Sequence, residues 1–378
     1  MLGSSGRDLA FSVRLTRIIY VKKCSILSKF LRDYFTMSRP LVYGHRGMGC
    51  SLPGTLSLFP ENSITSFREA RRIGADGIEL DVFLSKNNEL LVLHGYTSKN
   101  CLNLTTLGSD GASGVKLLTE NDLVETTDLR AQDLKLKKPW RLLQNFLDID
   151  DILNNHRKNI TASFQSYLNN LEQADTKECV PTLEQVFTEL GDTVKYDIEL
   201  KGSNTNLGLR VLEVLEKFPE LDVVISSFQW LPPELDKNSP HYNQAVEQLP
   251  NGKDVVDLLR PLVNNRLGIP LALLFNNETS ELPSIDRIVE CVNHYGAKWV
   301  SLSHDFWKTE NPIVGAGVKG KDAVSHLVSE LHEKGIKTMT YFLESTHDTE
   351  EDINVQLESG LDAICPNDVQ MCLKLLRK

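Results

Sequence analysis

Paired or patterned cysteine is missing from this 378-residue chain. Its seven cysteines, at 24, 50, 101, 179, 291, 365 and 372, are odd in number, scattered and never spaced as C-x-x-C. That speaks against a secreted disulfide framework or a zinc site and for reduced thiols inside a cell. No stretch approaches the ~18 consecutive apolar residues of a membrane-spanning helix. No G-x-G-x-x-G turn follows any strand-like segment, so a dinucleotide-binding open sheet finds no support. Basic charge is short as well: 41 Lys and Arg stand against 51 Asp and Glu, a net of −10. A general nucleic-acid or anionic-membrane binder carries the opposite sign.

The charge is uneven. Residues 1–38 hold seven bases and two acids, which leaves 34 bases and 49 acids for residues 39–378. The basic, acid-poor, hydroxyl-containing leader is either disordered or an address of the organellar transit type. The expected location is the cytoplasm, with mitochondrial import through residues 1–38 as the alternative.

From residue 41 onward, β-branched runs alternate with helical patterns. Strands are expected at Leu41–His45, Gly77–Phe83, Val194–Leu200, Asp222–Phe228, Pro270–Phe275, Trp299–Ser303, Lys337–Leu343 and Ala363–Cys365. Glu89–His94 reads as a hairpin partner of the second, joined by an Asn87-Asn88 turn. A helix is expected from Asn62 or Ser63 to Ile73. Another should open at Pro181 with proline near its first turn. Eight strands alternating with helices over about 340 residues predict a (βα)8 TIM barrel. Residues 95–180 form an insertion after the second strand region. Residues 230–268 lengthen the loop after the fourth strand.

The chemistry gathers on few strands. Glu79 and Asp81 are two apart and share a face, as do Glu199 and Lys201 on the next barrel strand. Ile78, Leu80 and Val82 fill the other face, where helices would cover them, so the carboxylates point inward. Crowded carboxylates at a barrel mouth repel unless a cation neutralises them, and hard oxygen donors suit Mg²⁺ or Ca²⁺. Lys201 adds a fixed positive charge for an anion, and Arg46 offers a fork for phosphate or carboxylate oxygens. His45 ends the first strand within Gly44-His45-Arg46-Gly47, and His94 ends the hairpin strand. Two imidazoles beside a carboxylate cluster are what base-then-acid catalysis near neutral pH requires. Of the remaining histidines, only His304 at the end of the sixth strand invites attention.

Gly44–Gly47, Pro60–Ser63, Glu79–Asp81, Leu93-His94, Val180–Leu183, Asp197–Lys201 and Ile225–Phe228 together resemble the glycerophosphodiester phosphodiesterase family, in that family's order. The resemblance covers roughly residues 40–375. It implies a metal-dependent phosphodiesterase that cleaves glycerophosphodiesters to glycerol 3-phosphate and an alcohol. By that resemblance Glu79, Asp81 and Glu199 hold the divalent cation, His45 and His94 are the acid–base pair, and Arg46 and Lys201 meet the phosphate. Glu61 orients the His45–Arg46 segment or lies close to the metal. The implied partner is a small glycerophosphodiester, such as glycerophosphocholine or glycerophosphoethanolamine. Two departures stand out: Gly95 replaces the family's usual Asp after the second histidine, and Tyr341 takes the place of a frequent Trp on the seventh strand. An apolar face from residues 140–170 (Trp140, Leu142, Leu143, Phe146, Leu147, Ile149) would favour a lysophospholipid or another lipid phosphodiester as substrate instead. A barrel that binds phosphodiesters without turning them over is the remaining alternative.

Overall fold

In the computed structural model, residues 39–50, 59–94, 104–105, 130–133, 135–136, 178–236, 239–240, 256–275, 284–306, 320–343 and 348–377 are described. The leader 1–38, the apolar run 140–170, Gly95 and most of the 95–180 insertion lie outside them.

Each β-branched run expected to be a strand is one. In chain order the elements are β1 (Leu41–Gly44), α1 (Ile64–Ile73), β2 (Gly77–Leu84), β3 (Leu90–Val92), β4 (Leu104–Thr105), β5 (Lys135–Leu136), α2 (Leu183–Leu190), β6 (Lys195–Leu200), α3 (Leu207–Leu215), β7 (Val223–Ser227), β8 (Leu271–Phe275), α4 (Ile285–Tyr295), β9 (Trp299–Ser303), α5 (Gly320–Glu333), β10 (Lys337–Tyr341), α6 (Glu350–Leu357), β11 (Ala363–Cys365) and α7 (Val369–Leu376). Strands β1, β2, β6, β7, β8, β9, β10 and β11 pair parallel in sequence, and β1 pairs with both β11 and β2. The sheet therefore closes on itself. This is a (βα)8 barrel.

β3 turns back on β2 in antiparallel register, Val82 opposite Val92. Asn88 in the joining turn takes a left-handed φ of 64°, a conformation asparagine tolerates better than most residues. Of the 95–180 insertion, the antiparallel pair β4–β5 and a short turn at Ala131–Asp133 are described. In the loop after β7, two short 3-10 turns stand at Pro233–Leu235 and Arg260–Leu262. Leu258, Leu259 and Leu262 are fully buried there, so this segment joins the core.

The alternation on β2 falls as the pattern requires. Ile78, Leu80 and Val82 point outward into one hydrophobic layer with Phe67, Leu183, Val186, Phe187 and Val211 of the covering helices. Inside the barrel, Tyr43, Met339, Ala363 and Cys365 form a separate, smaller cluster. A Cβ on Gly77 would come within 2.5 Å of the Tyr43 ring, so glycine there makes room for the barrel's filling. On β2 and β6 the inward residues toward the carboxyl ends are charged: Glu79 and Asp81, and Asp197 and Glu199.

Helix α2 differs from expectation at its start. Thr182 is the N-cap: its hydroxyl accepts from the Gln185 N–H while the Gln185 side chain accepts from the Thr182 N–H. Pro181 therefore precedes the cap, and its carbonyl accepts from Val92 N–H at 2.9 Å. The reciprocal cap satisfies two helix-end groups.

Candidate active site

The chain leaves β1 through a turn that only glycine permits at two points. A Cβ at Gly44 would lie 1.9 Å from the Gly47 carbonyl oxygen. One at Gly47, whose φ is +94°, would lie 2.4 Å from Ser66 Oγ. Between them Arg46 is itself left-handed (φ 51°), and its backbone N–H donates to Glu79 Oε2 at 2.9 Å. The turn is thus fastened to Glu79 of β2 through its main chain.

The segment Pro60–Ser63 serves as a second clasp. Ser63, not Asn62, caps α1, accepting from Ser66 N–H at 3.0 Å. That releases Asn62, also left-handed at φ 55°, to grip Asp81. Its Nδ2 donates to Asp81 Oδ2 at 2.8 Å, and its Oδ1 accepts from the Asp81 N–H at 3.2 Å. Glu61 Oε2 lies 3.4 Å from Arg46 Nη1, which places it behind the His45–Arg46 segment.

On the barrel's inner face, Asp81 stands opposite Glu199 and Glu79 opposite Asp197 across the β2–β6 ladder. Ligand atoms of Glu79, Asp81 and Glu199 all lie within 4.8 Å of one another, and all three residues are buried. Burial, then the Asp81 and Glu199 charges, pushes Glu79 well above the usual carboxylate range. Burial likewise raises Glu199 to about 7, with Lys201 opposing and Asp81 adding to the shift. For Asp81 burial is overcome by Lys201, His94 and Arg46, which hold it below its ordinary value. Asp197, one layer deeper, is raised to about 7 by burial despite accepting from Ser226 Oγ at 2.6 Å.

This trio fits a hard divalent cation. The donors are all carboxylate oxygens, they converge, and Glu79 Oε1 is buried with no hydrogen-bond partner. Such an oxygen is costly to bury unless something positive meets it. Among the described residues, this is the group of acidic, imidazole or thiol side chains that converges in this way.

Around the trio stand the predicted partners. Lys201 Nζ is 2.5 Å from Glu199 Oε1, 3.3 Å from Asp81 Oδ1 and 3.3 Å from His94 Nε2. Although burial works against its charge, Glu199 and Asp81 keep Lys201 protonated. Arg46 Nε is 3.2 Å from Asp81 Oδ2. His45 Nε2 lies 3.9 Å from Glu79 Oε2. An aromatic edge completes the mouth: the Phe228 and Tyr341 rings meet edge-on at 5.6 Å, and Lys201 Nζ lies 5.6 Å from the Phe228 centroid. The Tyr341 hydroxyl donates to the Phe275 carbonyl at 3.0 Å, which ties the ring to β8.

Every site residue expected from sequence is therefore in one neighbourhood. His304 is not among them. It is buried, stacks on Phe342 at 4.2 Å, and accepts from the Leu343 N–H. Sequence reasoning missed Asn62 as a ligand support, Asp197 beneath the trio, and Asn367 and Cys50 beside His45. Asn62 was within a singled-out motif. Asn367 lies 322 residues from His45, and no local pattern announces it.

Comparison with known proteins gives the family and the fold. A sequence model of the Glycerophosphoryl diester phosphodiesterase family matches residues 45–371. A glycerophosphocholine phosphodiesterase of Candida albicans is 28% identical over 172 residues, covering 42% of this chain and 15% of that protein. The rat glycerophosphocholine phosphodiesterase is 28% identical over 219 residues, covering 53% of this chain and 27% of that protein. The matched part is thus well under half the length of these curated relatives. Among solved structures, a glycerophosphodiester phosphodiesterase from Parabacteroides distasonis shares the fold with a TM-score of 0.51 at 14% identity, covering 90% of this chain and 87% of that chain. A Galdieria sulphuraria protein does so with a TM-score of 0.54 at 20% identity, covering 90% and 98%. With the family match running from His45 through nearly the whole barrel, this chain belongs to the glycerophosphoryl diester phosphodiesterase family.

Proposed function

We propose that the protein hydrolyses glycerophosphodiesters to glycerol 3-phosphate and an alcohol with the help of one divalent cation, Mg²⁺ or Ca²⁺. The observation that carries this reading is the convergence of three buried carboxylates, with His45 beside Glu79 and His94 against Lys201, at the carboxyl end of a barrel. Glycerophosphocholine and glycerophosphoethanolamine are the expected substrates, in keeping with the names of the curated relatives.

Glu79, Asp81 and Glu199 would hold the cation, which neutralises them and draws charge from phosphoryl oxygens. Arg46 and Lys201, both paired with Asp81, flank the site and bind the phosphate. His45 accepts the proton of the glycerol hydroxyl as that oxygen attacks phosphorus. His94 donates a proton to the departing alcohol oxygen as its bond to phosphorus breaks. The product is a cyclic phosphate, which water opens with the proton transfers reversed. Phosphate drawing Lys201 toward itself relieves the ammonium's contact with His94 Nε2, so that nitrogen can carry the proton it gives away. Developing negative charge on phosphorus oxygens meets fixed cations rather than water, which must reorient.

The test is release of glycerol 3-phosphate from a panel of glycerophosphodiesters and lysophospholipids, with and without EDTA. Cation-dependent release from the water-soluble diesters is expected. Undiminished release in excess chelator, or none from any diester with either cation, would overturn the proposal.

A further inference from the structure

We propose that Asn367 is a positioning residue for His45, fixing the imidazole in the tautomer that carries its proton on Nδ1 and directs the Nε2 lone pair toward substrate. The inference rests on the reading of His45 as the proton acceptor.

Asn367 follows β11 and is buried. An asparagine amide can face either way, so its orientation must come from its neighbours. Here they decide it. Nδ2 donates to the Leu343 carbonyl at 3.0 Å and to Asp348 Oδ1 at 3.1 Å. A carbonyl and a carboxylate are both acceptors, so the amide nitrogen belongs on that side. Oδ1 then faces His45 Nδ1 at 2.8 Å and the Cys50 thiol at 3.1 Å. An amide oxygen only accepts. The Cys50 S–H supplies one proton to it, and His45 Nδ1 must supply the other. A neutral imidazole with its hydrogen on Nδ1 has its lone pair on Nε2, the nitrogen on the Glu79 side.

Reversing the tautomer would require turning the amide over, which would set its oxygen against the Leu343 carbonyl and Asp348 while its N–H groups faced the thiol. The scaffold behind Asn367 resists that. Asp348 Oδ2 accepts from the Asp368 N–H at 2.7 Å, and Asp368 in turn caps α7, accepting from Met371 N–H at 2.8 Å. An imidazole, an amide and a helix cap are thus joined by hydrogen bonds that converge on the Asp348 carboxylate, which accepts from Asn367 on one side and from Asp368 on the other. None of these supports belongs to the motifs that mark the family-like site in the sequence.

The experiment is nitrogen-15 NMR of the histidine rings at mildly alkaline pH, with the His45 signals assigned by their loss in His45→Gln. The full chain should show His45 protonated at Nδ1. In Asn367→Leu, similar in size but without polar atoms, the ring should move toward the Nε2-protonated form. Its kcat should fall about 10- to 100-fold with KM changed little, the range seen when an orienting partner of an active imidazole is removed. Asn367→Asp keeps an acceptor on Nδ1 and should restore the tautomer relative to the leucine variant, with a lower Tm because its second oxygen meets the Leu343 carbonyl and Asp348. A His45 ring protonated at Nε2 in the unmodified protein overturns the inference without any variant. So does an Asn367→Leu protein with unchanged tautomer and kcat. If the unmodified protein turns over no diester, the functional reading fails, while the spectrum still decides the tautomer.

Discussion

Glu79 and Asp81 stand two residues apart on one strand and meet opposite surroundings. Asp81 holds two buried cations, Arg46 and Lys201, and two contacts from Asn62. Glu79 holds one backbone N–H and faces two other carboxylates. Neutralising each should therefore have different consequences for stability. Asp81→Asn takes one of two carboxylates from each of Arg46 and Lys201, which keep Glu61 and Glu199, so it should destabilise, though by less than the roughly 3–5 kcal/mol of a fully stranded buried charge. Glu79→Gln keeps an acceptor for the Arg46 N–H and removes a repulsion, so it should leave Tm unchanged or raise it in chelator. Both should lose about a hundredfold or more in turnover. Thermal unfolding of the two variants in EDTA checks the difference, and equal destabilisation would contradict it.

The two histidines are separable by leaving group. A choline-type alkoxide needs a proton as it departs, whereas p-nitrophenolate does not. His94→Ala should therefore slow a choline diester far more than a nitrophenyl diester, while His45→Ala should slow both alike. Steady-state rates on the two substrates decide it. Equal losses for His94→Ala would remove the acid role from that residue, and no loss would make it structural.

At the scale of elements, the turn from β1 into α1 fixes where His45 and Arg46 lie. Gly47→Ala would force a side chain into a left-handed position against Ser66, whose hydroxyl also accepts from the Met48 N–H at 2.8 Å. Strain of this kind is worth on the order of 1–3 kcal/mol before the clash is counted. The variant should lose stability and turnover together, read by denaturant midpoint and kcat. The strands and their order were legible because each is a short buried run whose alternation is local. Glu79, Asp81, Glu199 and Lys201 were legible for the same reason: spacing of two on a strand sets the face. Asn62 was harder, because whether it or Ser63 caps α1 depends on which side chain Asp81 claims. Asn367 was beyond local pattern, since its imidazole partner comes from the opposite end of the chain, and Asp348 matters only through Asn367. The start of α2 was misplaced because proline at a first turn and proline before a cap look alike until Gln185 is seen to close the box.

Across the whole molecule, buried carboxyls tie stability to pH and to the cation. Glu199, Asp197 and Asp348 are each raised to about 7, chiefly by burial, and Glu79 is raised well above its usual range for the same reason. An unfolded chain releases these protons near pH 4. Between about pH 4 and pH 7 the folded state holds protons that the unfolded state has given up, so stability must fall as pH rises through that window. In chelator, Tm should therefore drop by several degrees from pH 5 to pH 8, with Asp81, lowered rather than raised, working against the trend. A bound cation takes the place of the protons on Glu79 and Glu199, so saturating Mg²⁺ or Ca²⁺ should stabilise most at the alkaline end and flatten the profile. It should not flatten it entirely, because Asp348 is held by Asn367 and Asp368 rather than by the trio. Tm measured across pH with EDTA and with each cation tests this. A Tm that rises from pH 5 to pH 8 in EDTA would mean that these carboxyls are not protonated in the folded state, and a slope that neither cation alters would mean that the trio does not hold the metal.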